Sequence, residues 1–343
     1  MGKPIDEESL PIIPSVIRVS TGSAIALGLL EGKIDTAPTT VYLMTYRESK
    51  CSANCGFCPQ ARNSSSRADK LSRISWPPFP TNQVIDRIKE TARTGVIKRV
   101  CIQALNYPEV FEHLVSLTKA ISQLTQASIS ISCQPLSSRN LGLLADAGVD
   151  RIGIPLDAAT EELFEKVKGT AVDGPYSWKE QFELLRQAVN IFGRGKVSTH
   201  LIVGLGETEK QMVKTIQECA DMGVLPGLFA FTPIAGTALQ GQAQPMIHSY
   251  RRIQIARQLI LLDVARFDDV HFDRNDSLTS FGVDKKTLVQ LIQTGEPFLT
   301  SGCPNCNRPY YNERPSGPIY NYPRNLTSKE LSEIEKQLGM NEA

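Results

Sequence analysis

From residue 39 to about residue 273 the chain alternates short β-branched apolar runs with longer amphipathic ones, the pattern of parallel βα units. The short runs predict strands over 39–46, 98–104, 128–133, 150–155, 196–203, 228–233 and 268–272. Apolar residues recurring at helical spacing predict helices between them, at Thr81–Thr94, Glu109–Leu124, Asn140–Ala147, Trp178–Phe192, Lys210–Met222 and Arg251–Leu262. Gly95, Gly148, Gly193 and Gly223 stand where helices must stop. Residues 1–38 read as an N-terminal cap, with a short helix over Ser20–Leu30 ended by Glu31-Gly32-Lys33. The Ser/Arg/Pro-rich stretch Asn63–Pro80 reads as a long ordered loop, and 277–343 as a C-terminal extension without regular repeats. The expected organisation is α/β: a cap at 1–38, a barrel-like body at 39–276 and the extension.

Composition narrows the function. A chain of 343 residues suffices for one large α/β domain with a sizeable core. Thirty-seven basic residues against 36 acidic ones leave a net charge of +1, so bulk electrostatics implies no nucleic-acid partner. No basic-then-apolar leader opens the sequence, and no apolar run is long enough to cross a bilayer. The cytoplasm, with no membrane attachment, is the expected compartment. Eight cysteines in a chain this long do not read as a small secreted disulfide framework.

Three of those cysteines stand on one short loop after the first expected strand, Cys51-Ser-Ala-Asn-Cys55-Gly-Phe57-Cys58. Spacings of three and two residues let their sulfurs converge on one metal centre. Three thiolates suit a cubane iron-sulfur cluster with one iron free of protein, whereas a closed structural zinc wants four ligands. A zinc knuckle or a reduced thiol cluster is the competing reading. This run, with aromatic Phe57 before its last cysteine, resembles the radical S-adenosylmethionine (SAM) superfamily. The resemblance implies a TIM-like (βα) barrel, partial or complete, and a [4Fe-4S] cluster whose open iron is chelated by SAM.

In parallel barrels the reactive groups gather where strands end. Cys101 lies in Arg99-Val-Cys-Ile-Gln103 and Cys133 ends Ser128-Ile-Ser-Ile-Ser-Cys133, one βα unit apart, so the two thiols could face each other inside the barrel. A buried cysteine used as a small hydrophobe is the plain alternative. Gly153-Ile-Pro-Leu-Asp157 places a carboxylate at the rim, suited to ribose hydroxyls or, more simply, to capping the next helix. His200-Leu-Ile-Val-Gly204-Leu-Gly206-Glu207 runs a strand into a glycine turn that a ligand can approach closely, and a plain strand–helix turn explains the glycines just as well.

The order and spacing of these elements over Thr39–Asp276 resemble biotin synthase. In that family, cysteines on the second, third and fifth strands hold an auxiliary iron-sulfur cluster that surrenders sulfide to a substrate radical. Cys101 and Cys133 match the first two ligands, but Ser198 stands at the third. The family's cluster-binding arginine is replaced near His271, and Gly153 and Pro155 occupy the places of the asparagines that grip dethiobiotin. The resemblance also implies that Phe57, Asp157, Gly204, Gly206 and Glu207 contact SAM.

The C-terminal extension carries Cys303-Pro-Asn-Cys306-Asn-Arg308-Pro-Tyr-Tyr-Asn-Glu-Arg314-Pro. A C-x2-C pair can clamp a metal, and two further thiols would complete a four-ligand cluster site. A self-contained zinc or redox loop is the alternative. The run resembles the archaeal two-component lipoyl synthases, in which two radical SAM proteins act together. That likeness implies sulfur insertion into a protein-bound octanoyl chain, an octanoylated carrier protein or lipoyl domain as substrate, a second radical SAM protein as partner, and an electron donor such as ferredoxin. Cys101, Cys133, Cys303 and Cys306 are then expected to share the auxiliary cluster, with the extension folding back across an open end or side of the barrel. Cys219, on an outer amphipathic helix, is left structural. Sulfur insertion into a biotin-like small molecule, and an iron-sulfur subunit without sulfur transfer of its own, are the other readings.

Overall fold

A computed structural model of the chain describes residues 13–134 and 137–340; residues 1–12 of the expected cap and 341–343 of the extension lie outside it. The cap contributes more than a helix. Val16–Val19 (β1) runs antiparallel to Thr40–Thr45 (β2), with Ile17 opposite Thr45 and Val19 opposite Leu43. Between them Thr21–Ala26 (α1) starts at Ser20, whose hydroxyl accepts the Ser23 N–H. The stretch expected as a loop over Asn63–Pro80 is punctuated by a small hairpin, Lys70–Leu71 (β3) with Ile74–Ser75 (β4), and by Pro78–Pro80 (β5), which pairs with β1 at the sheet's edge. Two prolines suit that edge, where their missing N–H groups break no ladder.

The body follows in βα order. Thr81–Ala92 (α2) leads to Arg99–Gln103 (β6), Val110–Leu124 (α3), Ser128–Ser132 (β7) and Ser138–Asp146 (α4). Val149–Gly153 (β8), Glu161–Val167 (α5), Trp178–Phe192 (α6) and Val197–Val203 (β9) continue it, and Glu209–Met222 (α7), Val224–Ala230 (β10) and Ile247–Leu261 (α8) close it. The main sheet has the order β10-β9-β8-β7-β6-β2-β1-β5. Its first six members are mutually parallel. This is the TIM-like α/β fold expected, in a partial form.

Burial explains the strands. All six residues of β2 are buried, as a parallel strand covered on both faces requires. Helix starts are set by side-chain caps: Ser137 for α4, Thr160 for α5, Ser177 for α6, and a reciprocal Thr208–Gln211 box for α7. Gly223, with a φ of 83°, ends α7 in the left-handed conformation that glycine adopts without strain.

Two strand expectations are corrected. The expected strand at 228–233 begins earlier, at Val224, and ends at Ala230. Pro226 and Gly227 look like breakers, but β10 pairs only with β9, and an edge tolerates proline. The expected seventh barrel strand at 268–272 is not in the barrel. His271–Phe272 (β11) instead pairs with Leu278–Ser280 (β12) in a separate hairpin, with His271 exposed. Asp268, Asp269 and Asp273 leave too short an apolar run for a strand buried on both faces.

The extension continues with Lys285–Thr294 (α9) and ends with Ser328–Gln337 (α10). Between them an irregular segment crosses the opening between β10 and β2. Ser301 Oγ accepts the Leu228 N–H at 2.7 Å on one side, and Asn307 Oδ1 accepts the Thr39 N–H at 3.1 Å on the other. Fully buried Arg251 on α8 fastens the segment's far end. It donates to the Ile319 and Tyr320 carbonyls at 2.6 and 2.7 Å and to Gln337 at 3.0 Å, between the rings of Phe298 and Tyr322. No helix among the described residues is long and apolar enough to cross a membrane.

Candidate functional site

A cavity of about 280 Å³ occupies the barrel interior, and seven of the eight cysteines line it. Cys51, Cys55 and Cys58 approach from the loop that leaves β2. Cys101 projects from β6, Cys133 follows β7, and Cys303 and Cys306 enter with the segment that fills the barrel's opening. Cys219 lies apart, buried on α7.

The first loop is held from three directions. The Lys50 ammonium donates to the carbonyls of Pro59, Ser64 and Ser66 at 2.9, 2.6 and 2.7 Å, closing the loop on itself. Gly56 N–H donates to Val167 O at 2.7 Å, and Asn54 to Val172 O at 2.9 Å, tying the loop to the segment after α5. Asn106 N–H points at Cys51 Sγ at 3.1 Å, while its side chain donates to Tyr176 Oη at 3.1 Å. Burial pushes the Cys58 thiol up to about 12 and the Cys55 thiol also well up, the nearby Lys168 charge opposing the latter.

Asp157 lines the same cavity in a left-handed conformation, φ 67°, with its N–H donated to His200 O and its carbonyl accepting from Ile202. Its carboxylate meets the ammonium of Lys168 at 2.8 Å, and that side chain is fully buried. Lys168 also donates to Pro155 O and lies 5.3 Å from the Tyr176 ring centre. The glycine turn is placed differently. Gly204, Gly206 and Glu207 are not among the residues lining the cavity. The Glu207 carboxylate folds back to accept the N–H groups of Gly204, Leu205 and Gly206 at 2.6, 3.0 and 3.1 Å. Burial raises its pKa while those amides oppose the rise. Phe57 does line the cavity.

At the other end, Cys101, Cys303 and Cys306 act on one another electrostatically, and burial pushes Cys101 up to about 12. Tyr42 Oη stands 3.1 Å from Cys306 Sγ and accepts the Arg308 N–H at 3.0 Å. Cys133 differs from these three. Cys101 is opposite Ser130 in the sheet register, three residues before Cys133, and burial alone pushes the Cys133 thiol up to about 12. The two barrel thiols share the cavity but not a row. Arg308 also lines it, its guanidinium stacked 3.9 Å from the Phe229 ring centre. His200 sits at 4.8 Å from the same ring, and burial holds its pKa down at about 4.

The chemistry of the donors fits a cubane at Cys51, Cys55 and Cys58: three thiols on one loop face a shared cavity, and no fourth thiol stands on that loop. Among the described residues no three His, Cys, Asp or Glu side chains close on a single ion. Thiolates around a cubane each hold a different iron and so stand further apart than ligands of one ion. Sequence reasoning missed Lys168, Tyr176, Lys50 and Arg308. Only Lys50, directly before the first cysteine, and Arg308, two residues after Cys306, carried a local signal.

Residues 49–219 match the family model described as the Radical SAM superfamily. The chain is 26% identical over 216 residues to a biotin synthase of Persephonella marina, covering 59% of this chain and 57% of that protein. It is likewise 26% identical over 200 residues to a biotin synthase of Anaeromyxobacter dehalogenans, covering 57% and 52%. It thus spans a little over half the length of these curated relatives. Among solved structures it resembles the FeFe-hydrogenase maturase HydG of Carboxydothermus hydrogenoformans, with a TM-score of 0.50 and 15% identity over 70% of this chain and 59% of that one. That likeness speaks to the fold alone.

Proposed function

We propose, from the premise that this chain is a radical SAM, biotin-synthase-like protein, that it inserts sulfur into an octanoyl chain carried by a protein, in lipoyl biosynthesis. The observation that carries the reading is the single cavity bringing Cys51, Cys55 and Cys58 together with Cys101, Cys133, Cys303 and Cys306. A radical generator needs only the first three. A second thiol set facing the same space suits a sulfide donor within reach of the substrate carbon.

Cys51, Cys55 and Cys58 would hold the cluster, and with SAM it would supply radical chemistry able to take hydrogen from an unactivated carbon as no side-chain acid or base can. The residues around them orient and exclude. Asn106 and Tyr176 brace Cys51, and Lys168 fixes the Asp157 carboxylate at the rim, where it suits ribose hydroxyls. The walls are mainly apolar, as an acyl chain requires, and exclude water from a radical. Cys101, Cys303 and Cys306, with Cys133 on the wall of the same cavity, are the thiols proposed to hold an auxiliary iron-sulfur cluster as the sulfur source. A second radical SAM protein and a ferredoxin-like electron donor complete the proposed system.

The test is anaerobic incubation of the iron- and sulfide-loaded protein with SAM, reductant and an octanoylated lipoyl domain, with and without the second radical SAM protein. Mass spectrometry of the acyl chain should show added sulfur in at least one arm. Cleavage of SAM with an unchanged acyl chain in both arms refutes the substrate. One observation favours the small-molecule reading: no carboxylate pairs with Arg308 among the described residues, and a substrate acid would fill that role. Sulfur gain by a free biotin-like acid, and none by the octanoyl domain, would select it.

A further inference from the structure

Beneath the Cys101 end of the cavity, the barrel floor holds basic side chains that the proposed chemistry leaves unused. Arg99 begins β6 two residues before Cys101, so both share one face of the strand. Across the sheet, Cys101 is opposite Ser130, and Ser130 is opposite Arg151. Lys196 stands immediately before β9, within 3.5 Å of Asp150. Asp150 is the only carboxylate paired with this group among the described residues, at 2.9 Å from Arg99 and 3.7 Å from Arg151. Three cations thus share one acid.

Their hydrogen bonding is incomplete. Arg99 is only 7% exposed, yet its Nε and Nη1 have no partner among the described residues. Arg151 Nε lacks a hydrogen-bond acceptor as well, although Nη1 donates to Gly195 O. Ser130 Oγ is buried between the Cys101 and Cys303 thiols, which are the groups within its reach, and has no oxygen or nitrogen partner. Buried donors left unpaired are costly, so the free nitrogens of Arg99 on β6 and Arg151 on β8, either side of Ser130 on β7, mark a place for an acceptor. The charges of Arg99 and Arg151 act directly on the Cys303 thiol. The floor also meets solvent, because Lys196 is half-exposed and Pro304 and Asn305 beside Cys303 are exposed.

We propose that Arg99, Arg151, Ser130 and Lys196 form a binding site for a small sulfur anion, hydrosulfide, through which sulfide reaches Cys101 and Cys303. The inference rests on the reading of those cysteines as an auxiliary cluster site. A cluster that gives up sulfide to a substrate must be refilled. Hydrosulfide is a monoanion small enough for a floor between strands, and it accepts N–H bonds. Its sulfur is already at the oxidation level of cluster sulfide, so its use requires loss of one proton to water and no reductant at sulfur.

The experiment uses the full chain with Cys51, Cys55 and Cys58 replaced by Ala, so that only the floor-side site can fill. The metal-free protein is titrated anaerobically with sodium hydrosulfide at fixed ferrous iron, and bound iron and sulfide per chain are measured. In this background Arg151→Gln should raise the hydrosulfide concentration for half-filling roughly tenfold, the scale of one lost bond to a charged donor. Arg151→Lys should recover most of that loss, which a misfolded variant could not do. Ser130→Ala, which leaves every ion pair intact, should shift it in the same direction. Bromide should compete in the parent and have little effect in Arg151→Gln. If the cluster fills with the same hydrosulfide dependence in all variants and without bromide competition, the port is refuted while the auxiliary site stands. If the parent binds no iron and sulfide at all, the auxiliary site fails and the port with it.

Discussion

Replacing Lys168 with Met tests whether the buried ion pair holds the cavity's rim together. The Lys168 side chain is fully buried and that of Asp157 is 9% exposed, with 2.8 Å between Nζ and Oδ2. Methionine keeps the length and apolar stem but deletes the charge, leaving Asp157 as a buried anion without a partner and Pro155 O without its donor. Breaking one side of such a pair costs about 3–5 kcal/mol, far more than an exposed pair would. In Asp157→Asn the anion is gone, so adding Lys168→Met there should cost less by ~2 kcal/mol or more, a coupling that a double-mutant cycle isolates. Urea unfolding of the metal-free chain, followed by circular dichroism and by fluorescence, provides the free energies where the two probes coincide. SAM binding to the cluster-loaded protein should fall in both single variants, because Asp157 loses its fixed position or its charge. A loss below ~1 kcal/mol in Lys168→Met, or equal losses in the two backgrounds, would refute the reasoning.

Three further outcomes are expected. Replacing Cys51, Cys55 and Cys58 together with Ala should remove about four irons per chain and abolish reductive SAM cleavage; retained cleavage would overturn the assignment of the first loop. Arg251→Met should destabilise the chain by ~2–4 kcal/mol, since it strips two carbonyls, Gln254 and Gln337 of hydrogen bonds to a buried guanidinium. It should also expose the segment over 299–323 to protease, and unchanged protection would count against its role as the fastener. His200 titrates at about 4 when folded against an ordinary value of 6.5, because burial disfavours its charged form. The unfolded chain therefore binds the proton first. Wild type should lose roughly 3 kcal/mol of stability as pH falls from 6.5 towards 4, a loss absent from His200→Phe when the two profiles are subtracted.

What was legible in the sequence was local. The cysteine loop declares itself because all three thiols stand within eight residues, and β2 because each of its residues is apolar or small enough to be buried. Lys168 was invisible because, at a helix end, it looks like any solvated lysine. Its partner is eleven residues back and meets it only when α5 turns the chain over the rim. The resemblance that makes Glu207 a SAM contact does not show what its carboxylate meets within the chain itself. The turn exposes the amides of Gly204, Leu205 and Gly206, and the Glu207 carboxylate satisfies all three, a local arrangement that the spacing of the motif does not reveal. Pro226 hid the start of β10, since an edge strand cannot be told from a central one without the sheet order.

The deepest gap concerns the barrel's missing strands. Six parallel strands leave an opening that further βα units would fill in a complete barrel, and the expectation of a strand at 268–272 assumed one such unit. The opening is crossed instead by a segment whose hydrogen bonds run from Leu228 and Ala230 on β10 to Thr39 and Tyr42 on the other side. Such a segment has no periodicity to read, because its backbone is satisfied by side chains and strand ends rather than by its own repeat. A strand there would present alternate side chains to the interior at a fixed two-residue period. An irregular crossing can turn Cys303, Cys306 and Arg308 inward within six residues. The irregularity that hid this segment from pattern reading is thus what lets it bring two thiols and a guanidinium into a cavity the strands alone would leave with Cys101 and Cys133.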